Sequence, residues 1–338
     1  MARIALDAMG GDFAPTAPVV GALLALADLG SEHRIQLIGR KADLIAALDV
    51  AIAGDHAHHA VHRNRIDIID APDVIAMADR PTAVMRRPHS SMAVGLREHA
   101  EGRADAFVSA GNTGAQMAAS VQLLGLHHGL KRPAIGTIFP TALHTLVVLD
   151  SGANVDCSPE ELVHFARLGL VYAEDILGRD NPAVGLLSIG EEPEKGNAVV
   201  KEAHKLLAAT DLHFVGNVEG RDVAAGRCDR GPFDVVVCDG FTGNVILKFY
   251  EGLAPILVGM VAQSIGADTT LLMKGLAHLD YSNYGGAPLL GVRGVSIIAH
   301  GKSSPRAIKN AVNVAVRAAE SQMSEHIGRR LAAGDSAA

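Results

Sequence analysis

The sequence predicts a three-layer α/β/α fold built on a largely parallel sheet, and three observations predict it. Short runs rich in Val and Ile recur from one end to the other, nearly all of them close on a Gly, Asn, Asp or Ser cluster, and a helix-length segment follows. In chain order the runs are Ile4 to Asp7, Ile35 to Gly39, Ala106 to Ser109, Leu146 to Asp150, Val184 to Ile189, His213 to Val218, Val235 to Asp239 and Val295 to Ala299. Helical patterns fill the gaps, among them Ser91 to Glu101, Thr113 to Leu126, Pro159 to Leu177, Ala198 to Ala209 and Pro305 to Arg330. Pro159 and Pro305 suit a first helical turn, each following a serine able to cap it. A length of 338 residues fits one large domain or two intimate lobes. No linker or internal repeat interrupts the series, so the expected organisation is one continuous α/β body over 1–332 and a disordered tail at 333–338.

Composition removes several function classes. With 49% hydrophobic and 20% charged residues the chain is globular rather than disordered, collagenous or coiled-coil. Thirty Lys and Arg against 37 Asp and Glu give a net charge of −7, and with no Trp the chain offers neither a basic field nor stacking aromatics for nucleic acid. Cys157, Cys228 and Cys238 stand apart, outside any Cys-x-x-Cys spacing, which fits a reducing compartment better than a disulfide framework or a structural zinc site. No basic and apolar leader precedes the first strand, so no secretion signal is expected. The stretches poorest in charge, Ala106 to Leu130 and Gly252 to Ala267, are too polar or too short for a membrane span.

In a parallel sheet, ligands bind beyond the carboxyl ends of the strands, where loops meet helix N-termini with free N–H groups and partial positive charge. Those loops here read DAMGGD (Asp7 to Asp12), SAGNTGA (Ser109 to Ala115), DSGANVD (Asp150 to Asp156), SIGEEPEKGN (Ser188 to Asn197), GNVEGRD (Gly216 to Asp222) and DGFTGN (Asp239 to Asn244). A single Gly-Asn turn merely connects elements, but six of them on one rim favour a small anion, phosphate above all. The candidate phosphate and substrate contacts are Asp7, Gly10, Gly11, Asp12, Ser109, Gly111, Asn112, Thr113 and Gly114, then Asn154, Asp239, Gly240 and Gly243. Nucleotide motifs fail: no Gly-x-Gly-x-x-Gly occurs, and Gly301-Lys302-Ser303 lacks the first glycine of a phosphate-binding loop. A Gly-x-Ser-x-Gly nucleophile elbow is also absent.

Other features carry weaker signals. His56, His58, His59 and His62 lie close together and allow a chelate from His58 and His62 at helical spacing, although a solvated loop is the better reading and no metal is expected. Cys157 follows a rim loop and could carry an acyl group, but no base adjoins it. Lys195 precedes the Gly196-Asn197 turn, where its ammonium can reach an anion at the next helix start. Arg86 and Arg87, then Lys302, Arg306 and Lys309, form basic islands in an acidic chain and could dock an acidic partner. From Val245 to Ile265 apolar residues including Phe249, Leu253, Leu257 and Met260 fall at helical spacing and Pro255 should kink or divide the segment, a pattern that suits burial on two sides, either by plain core packing or as a helical hairpin over about 243–275 in a dimer interface or against lipid head groups.

Taken together, IALDAMGGDFAP, VSAGNTGA, LDSGANVDC, GLLSIGEEPEKGN, FVGNVEGRD, CDGFTGNV, YGGAPLLGV and HGKSSPRAIKNAV, in that order over nearly the whole chain, resemble the bacterial acyl-[acyl-carrier-protein]:phosphate acyltransferase family of phospholipid synthesis. The resemblance implies a fold similar to isocitrate and isopropylmalate dehydrogenases and phosphotransacetylase, and a homodimer. It implies attack of inorganic phosphate on a long-chain acyl-carrier-protein thioester, and a cytoplasmic, peripherally membrane-associated protein that hands acyl phosphate to a membrane glycerol-3-phosphate acyltransferase. Phosphate is already an anion and the thiol leaves as thiolate, so the work left is positioning and charge stabilisation. Lys195, Asn197 and Asn244 are the expected catalytic groups, with Arg86, Arg87, Arg306 and Lys309 as carrier-docking cations and no cofactor. Acyl-CoA as donor, a metal- and NAD-dependent dehydrogenase, and a non-catalytic carrier-binding scaffold are the rival readings.

Overall fold

The computed structural model describes residues 1–265 and 284–335. The chain divides into two compact units, one formed by Met1–Pro133 with the segment from Gly285 onward, the other by Ala134–Tyr284.

The first unit begins with β1 (Arg3–Asp7), α1 (Thr16–Asp28), β2 (Arg34–Gly39), α2 (Lys41–Ala53), β3 (Ile66–Asp70), α3 (Ala83–Arg86), α4 (Ser91–Ala100), β4 (Ala106–Ser109) and α5 (Thr113–Leu123). The second runs through β5 (Ala134–Pro140), β6 (Thr145–Leu149), α6 (Pro159–Asp175), β7 (Val184–Leu187), α7 (Ala198–Ala208), β8 (Phe214–Val218), α8 (Gly220–Ala225), β9 (Arg227–Cys228), β10 (Gly231–Pro232), β11 (Val235–Val237) and α9 (Gly240–Ile265). The chain then returns to the first unit with β12 (Ala287–Leu290), β13 (Ser296–Ile298), α10 (Pro305–Glu320) and α11 (Met323–Asp335).

Strand order in the first unit is β3-β2-β1-β4-β13-β12, parallel except for β12 against β13. In the second it is β5-β6-β11-β7-β8, parallel except for β5 against β6. Strands such as β4 and β11 are buried at every residue, as continuous apolar runs require when helices cover both faces. Two glycines set how closely helices approach. A Cβ on Gly21 of α1 would lie 2.6 Å from Ile308 of α10, and one on Gly169 of α6 would lie 2.5 Å from Val235 of β11.

The eight expected strands are present, and further strands were not legible. IDIID of β3 carries two aspartates, β5 ends on Pro140, and β12 contains Pro288; the last two lie in antiparallel pairs, outside the βα rhythm. The expected helix from Pro305 to Arg330 is two helices, broken at Ser321 and Gln322, where Gln322 takes a left-handed φ of 54°. Residues 333–335, expected in the tail, are the last residues of α11. The histidine segment is no plain loop but a 3-10 helix, Ala57–Arg65.

Pro255 does not divide the long apolar segment. α9 continues through it as one helix of 26 residues, because proline removes a single backbone donor at a cost of ~3 kcal/mol that the remaining turns outweigh. The returning arm of the expected hairpin lies outside the described residues. Ile246, Leu247 and Tyr250 pack on the core of the second unit, with the Tyr250 ring 5.5 Å from Phe139, while Phe241, Val245, Phe249, Ile256 and Met260 stay exposed on another face. No helix among the described residues is long and apolar enough to cross a membrane.

His99 locks α4 to the starts of β4 and β13: its Nε2 accepts the Val295 N–H at 2.8 Å and its Nδ1 donates to the Ala104 carbonyl at 3.0 Å, the neutral tautomer. Burial holds this imidazole below its ordinary range. A depressed folded-state pKa contributes stability that is present above the unfolded pKa near 6.5 and is lost as pH falls. The thermal stability of the wild-type protein over His99→Gln should therefore be largest near pH 8 and shrink as pH falls toward 5; a gap constant across that range, followed by circular dichroism, would contradict this.

Candidate active site

In the first unit, Asp7 ends β1 and is 2% exposed. Its carboxylate accepts from the Ser109 hydroxyl at 2.7 Å, the Met9 N–H at 3.1 Å, and the Ser91 hydroxyl and Gly10 N–H. Burial raises its pKa, and these four hydrogen bonds pull the other way. Ser109 in turn accepts the Gly111 N–H at 3.0 Å, and Asp12 donates its N–H to the Gly301 carbonyl at 2.7 Å. Gly10 has no room for a side chain, since a Cβ would sit 2.7 Å from the Gly111 nitrogen and 2.8 Å from the Asp7 carboxylate; Gly11 takes a φ of +98°.

The structure thus brings Asp7, Gly10, Ser109 and Gly111 together but spends much of their hydrogen-bonding capacity on one another. Asn112 is likewise committed: it caps α5 through Ala115 N–H at 3.0 Å and donates to the Met77 and Asp79 carbonyls at 3.0 and 2.8 Å. Thr113 and Gly114 supply the first N–H groups of α5, which point out of the helix end.

The second unit repeats the device. Asp150 follows β6, is fully buried, and accepts the N–H groups of Ile135 and Ala153 on Oδ1 at 3.0 and 3.1 Å. Its Oδ2 accepts from the Asn154 N–H at 2.7 Å and the Asn154 amide at 2.9 Å. Burial raises this carboxyl too, and the same four bonds oppose it. Asn154 returns its carbonyl to the Gly240 N–H at 2.7 Å, which ties the loop to the start of α9. There Asp239 accepts from the Thr242 N–H and hydroxyl, both at 2.8 Å. Gly243 is mandatory, because a Cβ would lie 1.9 Å from the Asp150 carbonyl. Asn244 is exposed, its side chain 3.6 Å from where a Cβ on Gly152 would stand.

The loop from Ser188 to Asn197 differs: its Lys195 N–H donates to the Glu192 carbonyl at 3.0 Å, but two side-chain donors are unspent. Lys195 is exposed and makes no ion pair among the described residues. Asn197 caps α7 by accepting the Val200 N–H at 2.9 Å, so it positions the helix, while the N–H groups of Ala198 and Val199 open outward. The Ser188 hydroxyl is buried with no hydrogen-bond partner, 3.0 Å from where a Cβ on Gly196 would stand, and Gly196 adopts a φ of +101°. Sequence reasoning missed Asp150 and Ser188 as site-forming residues. The signal was there for Asp150, an aspartate at a strand end before a glycine-rich turn, as at Asp7.

Of the basic residues, Arg87 pairs with Asp79 at 2.6 Å and Lys309 with Asp28 at 2.5 Å, whereas Arg86 and Arg306 are exposed. On α9, Phe249, Leu257 and Met260 are exposed and Leu253 is partly buried. Cys157 is partly buried beside Asn154, and burial together with the Asp150 charge pushes its thiol up to about 12.

A mostly parallel sheet with polar loops at its strand ends places the fold among the phosphotransacetylase-like α/β proteins. A phosphotransacetylase from Streptococcus pyogenes superposes with a TM-score of 0.62 at 16% identity, over 94% of each chain. A family model described as "Fatty acid synthesis protein" matches residues 2–326. The phosphate acyltransferase of Desulforamulus reducens is 47% identical over 330 residues, 95% of this chain and 94% of the relative, and that of Heliobacterium modesticaldum is 48% identical over 324 residues, 93% and 92%. The chain belongs to the phosphate acyltransferase family.

The glycines of α9 separate a packing requirement from mere helix propensity. Gly243→Ala should lower stability by more than ~2 kcal/mol through collision with the Asp150 backbone. Gly252→Ala, with nothing within 4 Å, should be neutral or raise it by up to ~1 kcal/mol. Urea titration of both variants checks this; equal effects would refute the contact.

Proposed function

We propose that the protein transfers the acyl group of a long-chain acyl-acyl-carrier-protein thioester to inorganic phosphate, releasing acyl phosphate and free carrier that feed phospholipid synthesis. The observation that carries the reading is similarity over nearly the whole chain to phosphate acyltransferases joined to the loop Ser188 to Asn197, where the Lys195 ammonium and the Ser188 hydroxyl have no partner among the described residues.

In this reading a phosphate oxygen attacks the thioester carbon, the carbon–sulfur bond breaks, and the carrier thiolate leaves with the electron pair. Lys195 and the first N–H groups of α7 hold the phosphate or the developing oxyanion, with the Ser188 hydroxyl as a further donor and Asn197 fixing the helix start. Asn244 offers a second exposed amide beside Gly152. The carboxylates of Asp7 and Asp150 shape the loops and stay off the reacting atoms. A thiol held near 12 is a poor nucleophile at neutral pH, which favours direct attack by phosphate over an acyl-enzyme on Cys157.

The partners follow from the surface. Exposed Arg86 and Arg306 suit an acidic carrier protein, and Arg87 and Lys309, already paired, contribute less. The exposed apolar face of α9 supports homodimer formation or peripheral attachment to a bilayer, beside a membrane glycerol-3-phosphate acyltransferase. Three free thiols suit a cytoplasmic location. The shared phosphotransacetylase fold makes acyl-CoA the competing donor.

The test is release of free thiol from palmitoyl-acyl-carrier protein by the pure, lipid-free protein. Release should require phosphate, prefer the carrier over palmitoyl-CoA, show a KM that rises with salt, and fall about a hundredfold in Lys195→Ala without loss of folding. Cys157→Ala should retain full activity. Preference for palmitoyl-CoA would favour the rival donor, and no turnover on either would overturn the reading.

A further inference from the structure

The segment between α2 and β3 presents four imidazoles that the proposed reaction does not use. A 3-10 helix has three residues per turn, so side chains at i and i+3 eclipse. Ala57–Arg65 is such a helix, and its register aligns His59 with His62 on a single ridge, while His56 precedes them at the cap position. The rings of His56 and His59 are 6.1 Å apart between centroids, and those of His59 and His62 are 5.9 Å apart. His58 adds a fourth ring 3.9 Å from His59. His59 is therefore the hub, with His58 at 3.9 Å and His56 and His62 at 6.1 and 5.9 Å between centroids.

We propose that His59, with His62 on the same ridge and His56 at the cap, binds a divalent transition-metal cation of the zinc, nickel or copper class. Imidazole nitrogens suit these ions, with metal–nitrogen distances of about 2.0–2.1 Å, whereas magnesium and calcium require oxygen. The charged groups around the ridge are Asp28 of α1, already held by Lys309 at 2.5 Å, and Arg65, whose guanidinium donates to the Leu26, Leu29, Gly30 and His33 carbonyls. Neither competes for the rings. Nitrogens of His56, His59 and His62 do not all stand within 4.8 Å of one another, so binding draws in partly exposed rings by rotamer changes, which are fast at a surface.

The tighter cluster, Glu32, His33 and Glu320, is the weaker metal site despite its spacing. His33 Nδ1 accepts the Ala2 N–H at 3.1 Å, so its Nε2 carries the proton, which it donates toward Glu32 at 3.1 Å. That nitrogen has no lone pair to give.

The experiment is calorimetric titration of the full chain with Zn2+, with Mg2+ as control and Cu2+ followed by electron paramagnetic resonance. Zn2+ binding should weaken about tenfold or more in His59→Gln and again in His62→Gln, stay unchanged in His33→Gln, and the Cu2+ spectrum should show nitrogen coupling lost in His59→Gln. No Zn2+ binding, equal affinity in His59→Gln, or loss confined to His33→Gln would overturn the proposal.

Discussion

Each unit depends on a carboxylate withdrawn from water at the end of a strand. An ionised group buried without partners costs several kcal/mol, so the chain around it must bring donors to it. Asp7 collects Met9, Gly10, Ser91 and Ser109, and Asp150 collects Ile135, Ala153 and both nitrogens of Asn154. The loops after β1 and β6 are consequently folded inward, and glycines in the first loop and at the start of α9 are fixed by contact rather than by turn preference alone. Gly10 and Gly243 have no space for a methyl group because the backbone closes on the aspartate of its own unit.

This inward folding determines which polar groups remain for substrate. Loops organised by an aspartate have little left to offer, as the committed side chains of Asn112 and Asn154 show. The loop before α7 has no such aspartate, and there a lysine and a helix N-terminus stay open beside a buried, unpartnered hydroxyl. A division between loops that hold shape and loops that hold ligand is what an enzyme relying on positioning and charge stabilisation needs.

Much of the fold was legible in the sequence, since buried parallel strands are continuous apolar runs and their loops carry Gly, Asn and Asp. β5 and β12 escaped because they contain proline and lie in antiparallel pairs, where the βα rhythm gives no cue. The rim loops were legible as polar and glycine-rich, but sequence could not separate donors already engaged from donors left free. That difference lies in contacts such as Gly111 to Ser109 and Asn112 to Met77, which link residues by their place in space. The 3-10 register of the histidines was hidden for a similar reason, because spacing by three and by four both occur between His56 and His62.

The most direct measurement is amide hydrogen exchange in Asp150→Asn beside the wild-type protein. Asparagine keeps one acceptor and turns a donor toward the loop, so the Ala153 and Asn154 amides should exchange about tenfold faster or more while the strands of the first unit keep their protection. Unchanged protection at both amides would contradict the claim that the buried aspartate holds the loop.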